Sequence, residues 1–362
     1  MLIKLASYGL LIALLPLAVV WVSDNHAKYR KLVWITLFFT LDLIMFGAFT
    51  RLTDSGLGCP DWPGCYSQSS PVEAHADIAA AELADPRGPV TVMKAWIEMI
   101  HRYLATGIGV LIIALMGIAW HRWIKSGRAN RRFLPIFPTV LFVFVCLQGA
   151  FGAWTVTMRL HPFIVTAHLL LGMTLLALLT WLGARQDDHP PVAPSAATLS
   201  IPVALVFVLL VVLIALGGWV SSNYAALACP DLPLCLGVAF PAMDFSNGFT
   251  LWRELNKTAG GTDIPFEALV AIHWTHRIVA LVVVGFIAGL TLRAIKIEGL
   301  QRTAYWLLII TALQFIAGVS LIFLDFPLLL AVAHSGGAAM LLFLLTMLGY
   351  KTFAAGRAKA TI

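Results

Sequence analysis

Four of the histidines inside the apolar runs of this chain pair by spacing. His101-Arg102 recurs as His276-Arg277 after 175 residues, and His168 recurs as His334 after 166. Neutral imidazole is a standard axial ligand for haem iron. Two such ligands in each half of the chain imply two haem sites. A histidine within a membrane can instead hydrogen-bond to a neighbouring helix, but four at repeat-related positions favour ligation. Glu98 lies three residues before His101, on the same helix face. The position three before His276 is His273. An acid in one pocket and not in the other points to chemistry in the first half, where a carboxyl group can move a proton or stabilise a cationic intermediate. The plainer alternative is a carboxylate that is solvated or paired with Lys94 or Arg102. Arg102 and Arg277 suit haem propionates, because a guanidinium fork matches a carboxylate. Equally, they can snorkel toward the interface.

Two cysteine loops, CPDWPGC (59–65) and CPDLPLC (229–235), add a second kind of chemistry. Each pair, Cys59 with Cys65 and Cys229 with Cys235, can close a tight disulfide that staples its loop over a pocket. An electron-relaying pair is the alternative. Catalytic dithiols usually have only two intervening residues, so we read both as staples. Asp42 reads as buried polar glue between helices and Cys146 as a free core thiol. His26, His75, His121, His161, His189 and His273 lack the paired pattern and read as interfacial or loop residues.

The elements that must position these groups are apolar throughout. The 362 residues are 60% hydrophobic and 12% charged, against about a quarter charged in soluble domains. This is an integral membrane protein. Its net charge of +6 is no nucleic-acid signal, because the basic residues sit in short loops. Runs long enough to span, at about 20 residues, lie near 2–22, 32–50, 98–120, 133–156, 162–184, 200–221, 268–294, 303–324 and 327–350. They are continuous rather than alternating, so they are helices and not barrel strands. The first run lacks a small-residue cleavage site after Val22 and reads as a retained helix. Arg122, Lys125, Arg128, Arg131 and Arg132 share one side with Lys28, Arg30, Lys31, Arg293, Lys296, Arg302, Lys351, Arg357 and Lys359 if nine spans alternate. That side is cytoplasmic. The loops 51–97 and 222–267 then face an oxidising outer compartment, where disulfides persist. The expected location is the bacterial cytoplasmic (inner) membrane, with a cytoplasmic C-terminus and periplasmic cysteine loops.

The repeat extends beyond the histidines. Gly47 matches Gly217 at offset 170, and Leu147-Gln148 matches Leu313-Gln314 at offset 166. The expected fold is all-α: a tandem duplication of a four-helix transmembrane bundle plus an extra N-terminal helix. Residues 1–31 form that helix and a basic loop, 32–186 the first bundle, 187–199 a Pro/Ala-rich cytoplasmic linker, 200–350 the second bundle and 351–362 a tail. Counted from expected entries at 95, 161, 268 and 327, each histidine is six to eight residues in, about 10 Å below the outer surface. Two side chains at one depth can face each other across a bundle core.

Eight stretches together resemble the haem A synthase family: GAFTRLTDSGLGCPDWPGC (47–65), EMIHRYLATGIG (98–109), LQGAFGAWTV (147–156) with TAHLLLG (166–172), GGWVSSNYAALACPDLPLC (217–235), HWTHRIVA (273–280), LQFIAGV (313–319) and AHSGGA (333–338). The resemblance covers about 32–350. It implies an oxidoreductase that converts the C8 methyl of haem O to a formyl group by successive hydroxylations, with O2 or water as the oxygen source and an unidentified electron donor. It implies haem b held by His276 and His334 in the C-terminal half, and the substrate haem held by His101 and His168 in the N-terminal half. Glu98 matches the family's glutamate, and Cys59 and Cys65 its outer-loop cysteine pair. Haem O synthase and cytochrome oxidase assembly factors are the implied partners, alongside the lipid bilayer. The chain departs from the family in Gly47-Ala48, where a Gly-Gly pair is usual, and in its extra helix 2–22. Two other function classes fit four histidines as well: a non-enzymatic di-haem b-type membrane cytochrome that carries electrons, and a haem transporter or chaperone. Neither explains a glutamate on one side only.

Overall fold

The computed structural model describes the chain apart from residues 24–27, 129–132, 188 and 361–362, and gives backbone alone for 357–360. His26, Arg131 and Arg132 therefore lie outside the described residues, as do the side chains of Arg357 and Lys359. Among the described residues the chain is helical. Nine helices are long and apolar enough to cross a membrane, which fits a multi-pass membrane protein. They are α1 (Leu2–Trp21), α2 (Lys28–Leu52), α4 (Val92–Lys125), α5 (Ile136–Thr157), α6 (Pro162–Gln186), α7 (Ser200–Ser222), α9 (Phe266–Ala294), α10 (Gln301–Phe323) and α11 (Leu328–Ala360). Short helices α3 (His75–Ala84) and α8 (Phe245–Gly248) lie in the two long loops. Helices suit these sequences because each satisfies its backbone polar groups within its own segment. Their buried threonines follow the same rule: Thr36, Thr40, Thr180, Thr291, Thr311 and Thr346 each donate to the carbonyl four residues back.

The chain divides into two compact units, Met1–Leu160 with Thr174–Asp187, and His161–Met173 with Asp188–Ile362. In the first, α4 is the centre, packed by α1, α2 and α5. At 34 residues, α4 is about 50 Å long, well beyond a hydrocarbon core of about 30 Å. Its outer turns therefore reach the cysteine loop. Helix α1 lies along α4 at close range. A Cβ on Gly9 would come within 2.4 Å of Thr106 Cγ2, and one on Gly107 within 2.8 Å of Ile12 Cγ2. The Tyr8 and Tyr103 rings meet at 5.1 Å between centroids, tilted by 59°, and Lys4 pairs with Glu73 at 2.6 Å. In the second unit α7, α9, α10 and α11 pack in sequence, and α11 returns to α7, closing a ring of four. The last part of the linker is a 3-10 helix, Pro194–Leu199, packed on α11.

Four expectations need correction. Asp42 is not buried glue: it is exposed on α2, beside a cavity of about 30 Å³. Cys146 is free but exposed on α5, not in the core. His273 and His161, read as interfacial, are 5% and 6% exposed. Depth is less uniform than expected, because α4 and α9 begin earlier than their apolar runs. Thr91, whose side chain accepts from the Lys94 N–H at 3.2 Å, starts α4 a turn before the hydrophobic edge. His101 and His276 are thus nine and ten residues into their helices, while His168 and His334 are six into theirs.

Candidate functional site

In the first unit the site is built where the outer end of α4 meets the loop 59–65. Cys59 and Cys65 are disulfide-bonded, with Cα atoms 4.9 Å apart. The Asp61 carboxylate accepts from the N–H groups of Tyr66 (2.7 Å) and Ser67 (2.6 Å), which folds the loop back on itself. Glu98, 4% exposed, joins loop to helix. Its Oε2 accepts from the Cys59 N–H at 2.8 Å, and its Oε1 is ion-paired with Arg102. Arg102 continues upward to the carbonyls of Asp61 (3.0 Å), Pro63 (3.3 Å) and Gly64. Gly58 permits this approach, since a Cβ there would lie 2.4 Å from the Lys94 carbonyl carbon. His101 lies one helical turn from Glu98. Its ring stacks with Phe46 at 6.2 Å between centroids, and its Cε1 is 3.0 Å from where a Cβ on Gly47 would be.

The second unit repeats the construction with different chemistry at one position. Cys229 and Cys235 are bonded, with Cα atoms 4.8 Å apart, and Asp231 accepts from Leu236 (2.7 Å) and Gly237 (2.8 Å). Those N–H donors, Gly237 first, hold the Asp231 carboxyl below the usual carboxylate range. Arg277 donates to the carbonyls of Asp231 (2.8 Å), Leu234 (3.2 Å) and Cys229. Between helix and loop stands His273: its Nδ1 lies 3.3 Å from the Cys229 N–H, and its Nε2 lies 3.2 Å from Arg277 Nε. A neutral imidazole has one acceptor nitrogen, so it can satisfy one of these donors at a time. The two oxygens of Glu98 satisfy both. Both arginines thus spend their donors on the loops, a role that neither the propionate nor the snorkelling reading anticipates.

His276 on α9 and His334 on α11 belong to the same unit. The Nδ1 atom of each is buried and has no hydrogen-bond partner. Each ring also rests on a glycine of the neighbouring helix. A Cβ on Gly217 would stand 3.3 Å from His276 Cε1, and one on Gly318 would stand 3.1 Å from His334 Cε1. Imidazoles seated this way, with nitrogens that no protein group claims, fit iron ligands. Gln314 fixes the backbone of this site. Its Nε2 donates to the His334 carbonyl at 2.9 Å, and its Oε1 lies where a Cβ on Gly337 would fall, at 2.0 Å. The sequence signalled Gln314 only as half of a repeated Leu-Gln pair, with no role attached. His168 lies on α6, in the stretch His161–Met173 of the second unit.

The family model of the cytochrome oxidase assembly protein, COX15-CtaA, matches residues 30–346. The chain is 38% identical over 326 residues to a heme A synthase of Shewanella oneidensis, covering 88% of this chain and 96% of that protein. It is 30% identical over 357 residues to a heme A synthase of Methylobacterium sp. (strain 4-46), covering 91% and 95%. It is 25% identical over 336 residues to a heme A synthase of Alkalihalophilus pseudofirmus, covering 90% and 97%.

Proposed function

The chain belongs to the cytochrome oxidase assembly protein family, and from that membership we propose that it is a haem A synthase. As such it is a multi-pass membrane oxidoreductase that oxidises the C8 methyl of haem O to the formyl group of haem A. Two successive hydroxylations at that carbon, each taking its oxygen from O2 with two electrons from a donor, or from water with two electrons passed to an acceptor, give a geminal diol, which loses water to leave the aldehyde. His101 and His168 hold the substrate haem. His276 and His334 hold haem b, which when bound supplies one-electron transfer. Glu98 stabilises positive charge at the reacting methyl carbon or delivers water to it. The two bundles arose by duplication. Matching loops with Asp61 and Asp231 as internal caps, and imidazoles seated on Gly47 and Gly217, support this reading. The basic ends of the helices face the cytoplasm of a bacterial inner membrane, and the two disulfide loops face the periplasm.

The observation that carries an enzyme over an electron-carrying di-haem cytochrome is the exchange at one position. Glu98 and His273 occupy the same setting between a half-cystine N–H and the next arginine, yet only one is an acid. A carrier has no use for that difference. The test is expression in a strain that makes haem O but no haem A, followed by haem extraction, chromatography and mass detection. Haem A is expected from the wild type. Untouched haem O from well-folded protein would overturn the proposal.

A further inference from the structure

Arg253, in the loop that carries the second disulfide, is 3% exposed. One terminal nitrogen donates to the Lys257 carbonyl at 3.2 Å and the other to Asn223 Oδ1. The Trp219 ring lies 5.8 Å from the guanidinium carbon. Its Nε is buried with no hydrogen-bond partner. All of these partners are neutral, and among the described residues no carboxylate pairs with it. Of the nearby acids, Asp263 pairs with Lys257 and Asp244 with Asn247, and Glu254, the next residue in the chain, acts on His161 and Lys257 without forming an ion pair with Arg253. A guanidinium stays charged at any working pH, and buried charges are otherwise found paired. Beside it lies His161, 6% exposed, tilted against the Trp252 ring at 4.5 Å between centroids. Its Nδ1 is also buried without a partner. Two unclaimed nitrogens and one uncompensated charge mark a place for an anion.

The position says which anion. Trp219, under Arg253, is two residues from Gly217, the glycine on which His276 rests. Asn223 caps the same helix, α7. Trp219 also packs with Ile272, one helical turn from His276 on α9, so Arg253 stands at the loop end of the two helices that carry Gly217 and His276. The carboxylates that a haem brings to such a pocket are its propionates. Arg277 is already spent on loop carbonyls and His273.

We propose that Arg253, with Asn223 and His161 around it, is a carboxylate subsite that receives a propionate of the haem held by His276 and His334. This deepens the proposed function and rests on its assignment of those ligands.

The test uses the full-length protein in detergent, made without haem in a His101→Ala background so that only the second pocket is read. It is titrated with haem b and with haem b dimethyl ester, which keeps the iron and ring but has no free carboxylates. Low-spin Soret absorption reports binding. The parent is expected to prefer haem b over the ester by about 10- to 100-fold, the range of charge-assisted hydrogen bonds. Arg253→Met should bind both ligands as the parent binds the ester, and Arg253→Lys should keep part of the preference. Unfolding of the haem-free protein separates this from a structural role. In the apoprotein of Arg253→Met the removal of an uncompensated buried charge offsets the loss of its hydrogen bonds to Asn223 and the Lys257 carbonyl, so it should unfold close to the parent, while haem b stabilises it less. A parent that binds both ligands equally would overturn the subsite alone, and that result needs no variant to fold. So would Arg253→Met with an undiminished preference. No low-spin spectrum with either ligand would overturn the axial-ligand assignment, and the subsite with it.

Discussion

Replacing Glu98 separates its structural role from its chemistry. In the Glu98–Arg102 pair the side chains are 5% and 11% exposed. Removing one partner of a buried pair costs about 3–5 kcal/mol. Arg102 keeps three loop carbonyls as acceptors, which solvate its charge and place Glu98→Ala near the lower end, about 3 kcal/mol. The same change strands the Cys59 N–H, worth about 1–3 kcal/mol and not fully additive, since loop and arginine relax together. Glu98→Gln keeps one acceptor oxygen, which serves either the Cys59 N–H or Arg102, and turns its amide N–H toward the other donor, so it should cost about 1–3 kcal/mol. Denaturant unfolding in detergent measures these values, and haem extraction from the haem O-producing strain measures turnover. Glu98→Gln is expected to fold more stably than Glu98→Ala yet stall before haem A. Wild-type haem A from Glu98→Gln would show the residue to be only a loop fastener. A cost below about 1 kcal/mol for Glu98→Ala would refute the buried-pair reasoning itself.

His273→Glu supplies the second acceptor that imidazole lacks and should raise the stability of the second unit by about 1 kcal/mol, read as a shift in unfolding midpoint. Gly318→Ala places a methyl 3.1 Å from His334 Cε1. Pushing that ring off its rotamer costs about 1 kcal/mol, so haem affinity should fall roughly fivefold, seen by optical titration. Alkylation of unreduced, denatured protein should label Cys146 and no other cysteine, whereas Cys65→Ser should cost about 2 kcal/mol by the loop-closure estimate. Lys4, and after it Ser69, hold the Glu73 carboxyl down at about 2. A depressed folded-state value gives stability that is complete above the unfolded carboxyl range, about 4.3, and is lost as pH falls toward 2. The midpoint difference between wild type and Glu73→Gln should be constant above about pH 5 and vanish near pH 2.

Much of the scaffold was legible in one dimension. The nine apolar runs correspond to nine helices among the described residues, with ends displaced by up to ten residues, because length and apolarity suffice when every backbone group must bond within its own segment. The cysteine pairing was legible because partners six residues apart in a short loop have nowhere else to go. Asp42 and Cys146 were misread for one reason: hydropathy reports that a helix is apolar all round, not which face meets another helix. Arg253 drew no attention, and His161 read as interfacial, because burial of a loop residue depends on what packs over it. Gln314 was visible as a repeated letter, but its bond to the His334 carbonyl needs α10 and α11 side by side.

The sequence by itself determined the helices, the four histidines and the one-sided glutamate, because these follow from residue type and local period. Only the tertiary structure decided what the charged groups near them do. It turned Arg102 and Arg277 from free cations into clasps on the disulfide loops, and placed Glu98 and His273 in the same joint between loop and helix. The physical reason is that hydrogen bonds and ion pairs act over about 3 Å, between atoms forty residues apart in the chain. No local pattern fixes such distances, and the packing of loop on helix does.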